Sequence, residues 1–362
     1  MIDMKKASSL NVNFLVLTAT VVLLFILTEI TLRIFTRNMV NLRLMHKPDG
    51  DLGFRLVPGF EMAYRTAEFN TTIKINSEGL RDHEYTRERD PQTFRILALG
   101  DSFTFGIGVN SEQTYAKVLE SMLNRDQPAG GPKRFEVVNA GVDAYAYGTE
   151  QEYRNLRELL GRYRPDLVMV GLYSNDVSDV MGGIPTLPAL GSNRLYSIEY
   201  LRGLKFLLKK SAAGDLNTEL LEIYRDRYSP RFTSAFERTK DYLVKIRDLS
   251  AAAGAKTVII TLPLCFEIDR SHWEVRGYVH LYTEEFFRGN MQKFSDTFVE
   301  FGKQLNIPTV PLLPVMRGSK TLPLYFAQDI HWTPEGHRLA AETMGAYLRK
   351  RDLIGQQKRH TQ

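Results

Sequence analysis

The sequence predicts an α/β protein: a parallel five-stranded sheet in a three-layer α/β/α arrangement, preceded by one amino-terminal transmembrane helix. Three observations carry this. Short apolar runs alternate with longer stretches of helical spacing between Phe94 and Leu348. The runs are apolar on both faces, as strands are when helices cover both sides of a parallel sheet. Finally, no residue from Ala7 to Thr28 is charged, and Phe14 to Leu27 is almost wholly apolar. At about 1.5 Å of rise per residue, that stretch reaches across a hydrocarbon core of about 30 Å.

The elements follow in chain order. Residues 1–13 are a short tail and 14–35 the anchor. The apolar run leads into Thr28-Glu29-Ile30-Thr31-Leu32-Arg33 with no small-x-small site, so the segment reads as uncleaved. Lys5 and Lys6 precede it, whereas Arg33, Arg37, Arg43 and Lys47 follow, a count that leans toward a cytoplasmic main domain. Residues 36–91 read as an extended membrane-proximal module. Within it, Phe60 to Thr66 and Phe69 to Ile75 mix β-branched and polar residues as a hairpin does, ahead of a turn at Asn76-Ser77-Glu78-Gly79.

The main domain is expected over 92–350. Its strands are Ile96 to Leu99 (ending at Gly100), Phe135 to Val138, Leu167 to Leu172, Thr257 to Leu262 and Ile307 to Leu312. Helical spacing fills Thr114 to Leu123, Glu150 to Leu160, Phe232 to Leu249, Glu284 to Leu305 and Glu335 to Leu348. Residues 181–231 break the rhythm with Pro, Gly and a basic amphipathic stretch, Ile198 to Lys210, and read as a cap or lid. Residues 351–362 are a basic tail.

Bulk composition excludes more than it identifies. Among 362 residues, 47 are Lys or Arg and 42 Asp or Glu, for a formal charge of +5. So small an excess, without a basic run interleaved with aromatics, argues against nucleic acid as a partner. The single cysteine, Cys265, excludes an internal disulfide and a multi-cysteine metal site, and reads as a small buried hydrophobe. Asp176 and Asp179 read as loop caps, not cation ligands, so neither a metal nor a cofactor is expected.

The chemistry gathers at strand ends. Ligands of open parallel sheets sit beyond the carboxyl ends of the strands. The first strand ends in Gly100-Asp101-Ser102-Phe103-Thr104-Phe105-Gly106, which puts a serine at that edge between two glycines. Asn139-Ala140-Gly141 follows the second strand, bringing the Gly141 amide to the same edge. Gly171-Leu172-Tyr173-Ser174-Asn175-Asp176 ends the third and offers the Asn175 side-chain amide. Asp329-Ile330-His331-Trp332-Thr333-Pro334-Glu335-Gly336-His337 precedes the last helix, so of seven histidines only His331 and His337 are brought there.

These four segments, in this order, resemble the SGNH hydrolases, also called GDSL esterases and lipases, from about Phe94 to Leu348. The resemblance implies a flavodoxin-like fold, Ser102 as nucleophile, His331 as its base, and an oxyanion hole of the Ser102 amide, Gly141 and Asn175. His337 itself reads as structural, packed near the start of the last helix. The family usually carries its aspartate three residues before the histidine; here that residue is Gln328, and Asp329 stands two before. A similar Asp-x-His-Trp arrangement occurs in alginate O-acetyltransferases, which makes Asp329 the implied third member. Similarity to bacterial members carried on an amino-terminal anchor implies an extracytoplasmic, periplasmic domain, against the charge count.

The expected activity is therefore hydrolysis of a carbohydrate or lipid acyl ester. Transfer of the acyl group to an exported polysaccharide would use the same residues, and a silent glycan-binding envelope protein is the reading from another class. Trp332, Tyr145 and Tyr147 are candidates for contact with substrate, and simple packing is the alternative for each.

Overall fold

Five apolar runs of the sequence pair into one sheet. The computed structural model describes residues 2–35, 42–86, 88–127, 131–143, 147–181, 195–198, 200–201, 204–205, 222–269, 290–321 and 323–355. The chain folds as two compact units, Met1–Lys47 with Pro188–Asp215, and Pro48–Leu187 with Leu216–Gln362.

The first unit is built on α1 (Ile2–Phe35), whose Val12–Phe35 stretch is long and apolar enough to cross a membrane. Its side chains from Phe14 to Leu27 project outward instead of packing on protein. Near its end Glu29 is buried and accepts the backbone N–H groups of Tyr196 (2.7 Å) and Ser197 (3.0 Å). Arg33 donates to Glu29 at 3.1 Å and lies 5.0 Å from the Tyr196 ring centroid. Most of the expected cap, including most of Ile198 to Lys210, lies outside the described residues.

The second unit opens on two short strands, β1 (His46–Asp49, whose first two residues belong to the first unit) and β2 (Gly53–Leu56). The expected hairpin follows as β3 (Glu61–Arg65) and β4 (Asn70–Lys74), antiparallel with Glu61 opposite Lys74. Asn76 Oδ1 closes the next turn by accepting Glu78 N and Leu80 N, and Gly79 takes φ 83°.

The sheet comprises β5 (Thr93–Gly100), β6 (Arg134–Asn139), β7 (Leu167–Leu172), β8 (Lys256–Thr261) and β9 (Thr309–Pro311). All neighbours are parallel, in the order β6-β5-β7-β8-β9. The edge strand β9 is shorter than its apolar run because Pro308 and Pro311 lack the N–H a ladder needs.

Among the described residues the unit also holds the α-helices α2 (Ser102–Phe105), α3 (Tyr115–Arg125), α4 (Thr149–Tyr163), α5 (Asn175–Met181), α6 (Pro230–Ala252), α7 (Cys265–Ile268), α8 (Lys293–Gln304), α9 (Leu313–Arg317) and α10 (Pro334–Lys350). Their starts follow from caps. Thr114, Ser229 and Thr333 accept the free amides of the first turns of α3, α6 and α10, and Pro230 and Pro334 occupy first-turn positions where no N–H is required. Right-handed crossovers take the chain from β5 to β6 in one direction and from β6 to β7 in the other, which places α3 and α4 on opposite faces. Helix α10 packs on α3, and α6 on α4. Residues 270–289, which include the first six positions of the helix expected over Glu284 to Leu305, lie outside the described residues.

Candidate active site

The chain's direction of winding reverses at β5, between β6 and β7. In a sheet of this order the crevice at that switch point is where ligands bind. Gly100 pairs with Gly171 at the carboxyl ends of the two strands, so Ser102 and Asn175 emerge side by side.

Ser102 is the first residue of α2. Asp101 caps that helix, its Oδ1 accepting Phe103 N at 2.9 Å. The strand-to-helix corner is tight. Gly100 has φ 154°, and a Cβ there would stand 2.0 Å from Thr104 Oγ1. Gly106 ends the helix at φ 88°, where a Cβ would meet Thr114 Cγ2 at 2.4 Å. Both positions therefore need glycine.

Ser102 Oγ lies 2.7 Å from His331 Nε2, and His331 Nδ1 lies 2.5 Å from Asp329 Oδ1. A carboxylate only accepts, so Nδ1 carries the proton and Nε2 is left as acceptor for the serine hydroxyl. Asp329 Oδ1 also accepts the His331 backbone N–H at 2.9 Å, closing an Asx turn that spans two residues. This local turn is how an aspartate two positions before the histidine reaches the ring. Burial alone would lower the His331 pKa; the Asp329 hydrogen bond and charge, followed by the charges of Asp143 and Asp101, overcome that and raise it above 6.5. Phe103 packs on the imidazole with ring centroids 5.0 Å apart.

Among the described residues the Ser102 backbone N–H has no acceptor. Asn175, half-buried at the start of α5, donates an Nδ2 hydrogen to Asp179 Oδ2 at 3.1 Å, and its side chain also bonds the Asp101 carboxyl, so a ligand oxygen would have to compete for the amide. Gly141 lies against the backbone of α2, where a Cβ would stand 2.2 Å from Phe105 N. Its own N–H donates to Asn139 Oδ1 at 3.0 Å, so an acyl oxygen would have to share it.

The aromatic candidates fall differently. Trp332 is 0 % exposed, ringed by Phe103, Tyr115, Tyr325 and His337. It packs in the core, the alternative that the sequence left open for it beside contact with substrate. Tyr147 is buried as well, its hydroxyl accepting Asn155 Nδ2 at 3.1 Å, so it offers no face for a sugar. Tyr145 lies outside the described residues. His337 is also buried; its Nδ1 accepts Tyr115 N at 3.2 Å, and burial, with the charges of Arg81 and His331, pushes its pKa down to about 3. It is a neutral packing histidine. Cys265 lies in the hydrophobic core.

Three carboxyl groups are buried beside the site. Burial pushes Asp101 up to about 6 against the lowering pull of the Phe103 N–H, the His331 charge and the Asn175 side chain; burial, reinforced by neighbouring carboxylates, pushes Glu152 and Asp176 well above the usual carboxyl range. Asp176 Oδ2 accepts Tyr173 N at 2.7 Å, a capping contact. Sequence reasoning missed Asp143 altogether, and read Asp179 as a loop cap without its contact to the Asn175 side chain. The signals were present: Asp143 stands two residues after Gly141, and Asp179 is four residues after Asn175 on one helix face.

The model of the GDSL-like lipase/acylhydrolase family matches residues 98–339. Similar solved structures include TesA, at 17% identity and TM-score 0.43, covering 71% of this chain and 98% of TesA. Others are the esterase EstA from Pseudoalteromonas sp. (16%, TM-score 0.40, 71% and 97%) and a catalytic mutant of Axe2, an acetylxylan esterase from Geobacillus stearothermophilus (14%, TM-score 0.39, 73% and 95%). Among curated proteins none matches. With the family model spanning well over half its length, the chain belongs to the GDSL-like lipase/acylhydrolase family, hydrolases of ester bonds.

Proposed function

We propose that this protein is a membrane-tethered serine esterase acting on a carbohydrate or lipid acyl ester, with Ser102 as nucleophile, His331 as general base and Asp329 as the residue that orients it. The observation that carries the reading is the continuous line from Ser102 Oγ to His331 Nε2 (2.7 Å) and from Nδ1 to Asp329 Oδ1 (2.5 Å). A serine hydroxyl is a weak nucleophile at neutral pH and needs an adjacent base to take its proton. Asp329 holds the tautomer in which Nε2 is free to do so, and its charge stabilises the imidazolium that forms.

Attack on the ester carbonyl forms the serine–acyl bond through a tetrahedral intermediate whose oxygen carries the negative charge. The Ser102 amide and the Asn175 side chain are the donors for that oxygen, with the Gly141 N–H shared. The proton on His331 passes to the departing alkoxide, and water, deprotonated by the same imidazole, releases the acid. The apolar α1 is the tether, with the domain on the extracytoplasmic side.

Ser102→Ala should abolish turnover of p-nitrophenyl acetate and labelling by a fluorophosphonate probe, while the unfolding midpoint stays at the wild-type value. A labelled, active Ser102→Ala variant would refute the assignment, and an unlabelled wild-type protein would favour a silent binder. Acylated sugars and short-chain lipid esters, compared by kcat/KM, identify the alcohol. A polysaccharide acceptor that gains acyl groups while free-acid release falls would mark a transferase.

A further inference from the structure

The hairpin β3–β4 precedes the segment matched by the family model, which begins at residue 98. Yet it touches both loops of the active site. At its tip Thr66 Oγ1 accepts Glu68 N (3.1 Å) and Phe69 N (3.2 Å), and Thr66 N donates to Phe69 O (2.9 Å). This closed turn presents the Glu68 carboxylate to the histidine loop. Both Glu68 oxygens accept Gln328 N at 3.0 Å, and Oε2 also accepts Asp329 N at 2.9 Å.

Apolar packing runs alongside. Phe69 meets Phe326 with centroids 5.1 Å apart, and both cluster with Val109. Phe326 lies so close to the loop after the nucleophile that a Cβ on Gly108 would meet it at 2.4 Å. Phe326 N donates to His331 O at 3.1 Å, bracing the base of the histidine loop. On the nucleophile's side, Thr72 N donates to Asn110 Oδ1 at 3.0 Å. The buried Arg81 guanidinium donates to Phe105 O (3.0 Å), Gly106 O (2.5 Å), Val109 O (2.6 Å) and, from the hairpin, Thr72 O (3.4 Å).

We propose that Glu68 is a positioning residue for the Asp329–His331 pair, and that the hairpin carrying it is part of the active-site scaffold. The reasoning is geometric. Asp329 reaches His331 through a two-residue turn on an otherwise exposed loop tip, and two adjacent amides at that tip point away from the loop. An anionic acceptor fastened to a rigid turn satisfies both and fixes the backbone from which the Asp329 carboxylate springs. The inference rests on the proposed roles of Ser102, His331 and Asp329.

Kinetics of the full chain in detergent test it, with p-nitrophenyl acetate as substrate. Glu68→Ala should lower kcat by about 10- to 100-fold, the scale of a displaced catalytic group, with KM within about twofold because the binding surface is untouched. The acid limb of kcat/KM should move to lower pH, since a slackened Asp329 raises His331 less while Asp143 and Asp101 still face it. Glu68→Gln keeps an oxygen acceptor and should restore kcat and the limb to near wild type. Should Glu68→Ala fail to fold, Glu68→Asp, one methylene short of the amides, should show the same lowered kcat and displaced limb. A wild-type kcat in Glu68→Ala or Glu68→Asp overturns the proposal, as does a loss with an unmoved limb that Glu68→Gln does not rescue. Fluorophosphonate labelling of wild-type Ser102 separates the two failures: a labelled enzyme indifferent to residue 68 sinks only this inference, and an unlabelled one sinks the catalytic assignment beneath it.

Discussion

His331 shows how much one side chain's behaviour depends on its immediate partners. Burial penalises its charged form, while Asp329, Asp143 and Asp101 all favour it, and the balance raises its pKa above 6.5. A base must be neutral to accept a proton, so activity should fall as pH drops through that raised value. Asp329→Asn removes the strongest of the favourable interactions. Its acid limb should therefore lie at lower pH than that of wild type, and kcat should fall by about 10²–10⁴-fold as the ring loses its orienting carboxylate. A pH–rate series on both proteins checks the sign; an acid limb that stays in place would mean that Asp329 does not govern the imidazole. The oxyanion donors are open to the same kind of measurement. Asn175→Ala should lower kcat by about 10²–10³-fold with little change in KM, and a variant as fast as wild type would remove the Asn175 amide from the mechanism.

Elements place these groups, and the strand-to-helix corner after β5 is the most constrained of them. Gly100 and Gly171 face each other at the ends of adjacent strands and leave room for Thr104, whose Oγ1 bonds the Tyr115 hydroxyl at 2.8 Å. Gly100→Ala would drive a methyl into Thr104 Oγ1 and strain a positive-φ residue. It should cost about 1–3 kcal/mol in urea unfolding and lower activity by displacing Ser102; an unchanged midpoint would contradict this packing. Most of this level was legible beforehand. The strands announced themselves because they are apolar on both faces, and the helices because their apolar residues recur at helical spacing; the caps Thr114, Ser229 and Thr333 became evident only in the structure. The fifth strand was read too long because hydropathy does not register that Pro308 and Pro311 cannot donate.

At the scale of the whole molecule, the apolar helix, read as a tether, would set where the enzyme works. Val12–Phe35 passes the length and composition test for a membrane span, a test that a signal sequence also passes. The proposed tether requires that the protein stay in the membrane pellet through an alkaline carbonate wash, dissolve in detergent, and retain residues 1–35 by intact-mass measurement. Release by carbonate, or a mature protein beginning after the apolar run, would replace the anchor with a cleaved leader.

Taken by itself, the sequence determined the α/β class, the five sheet strands, the family, and the identities of Ser102, Asn175 and His331 as candidates, because each depends on a local pattern: an apolar run, a strand-end block, a cap. Only the tertiary structure decided which groups meet. It brought His331 to Ser102 across 229 positions, turned His337 inward to bond Tyr115 across 222, and buried Trp332 and Tyr147 in the core. It also set Glu68 against Asp329 across 261 positions. No local pattern encodes such pairings, since they arise from the order in which strands stack and the faces their connecting loops present.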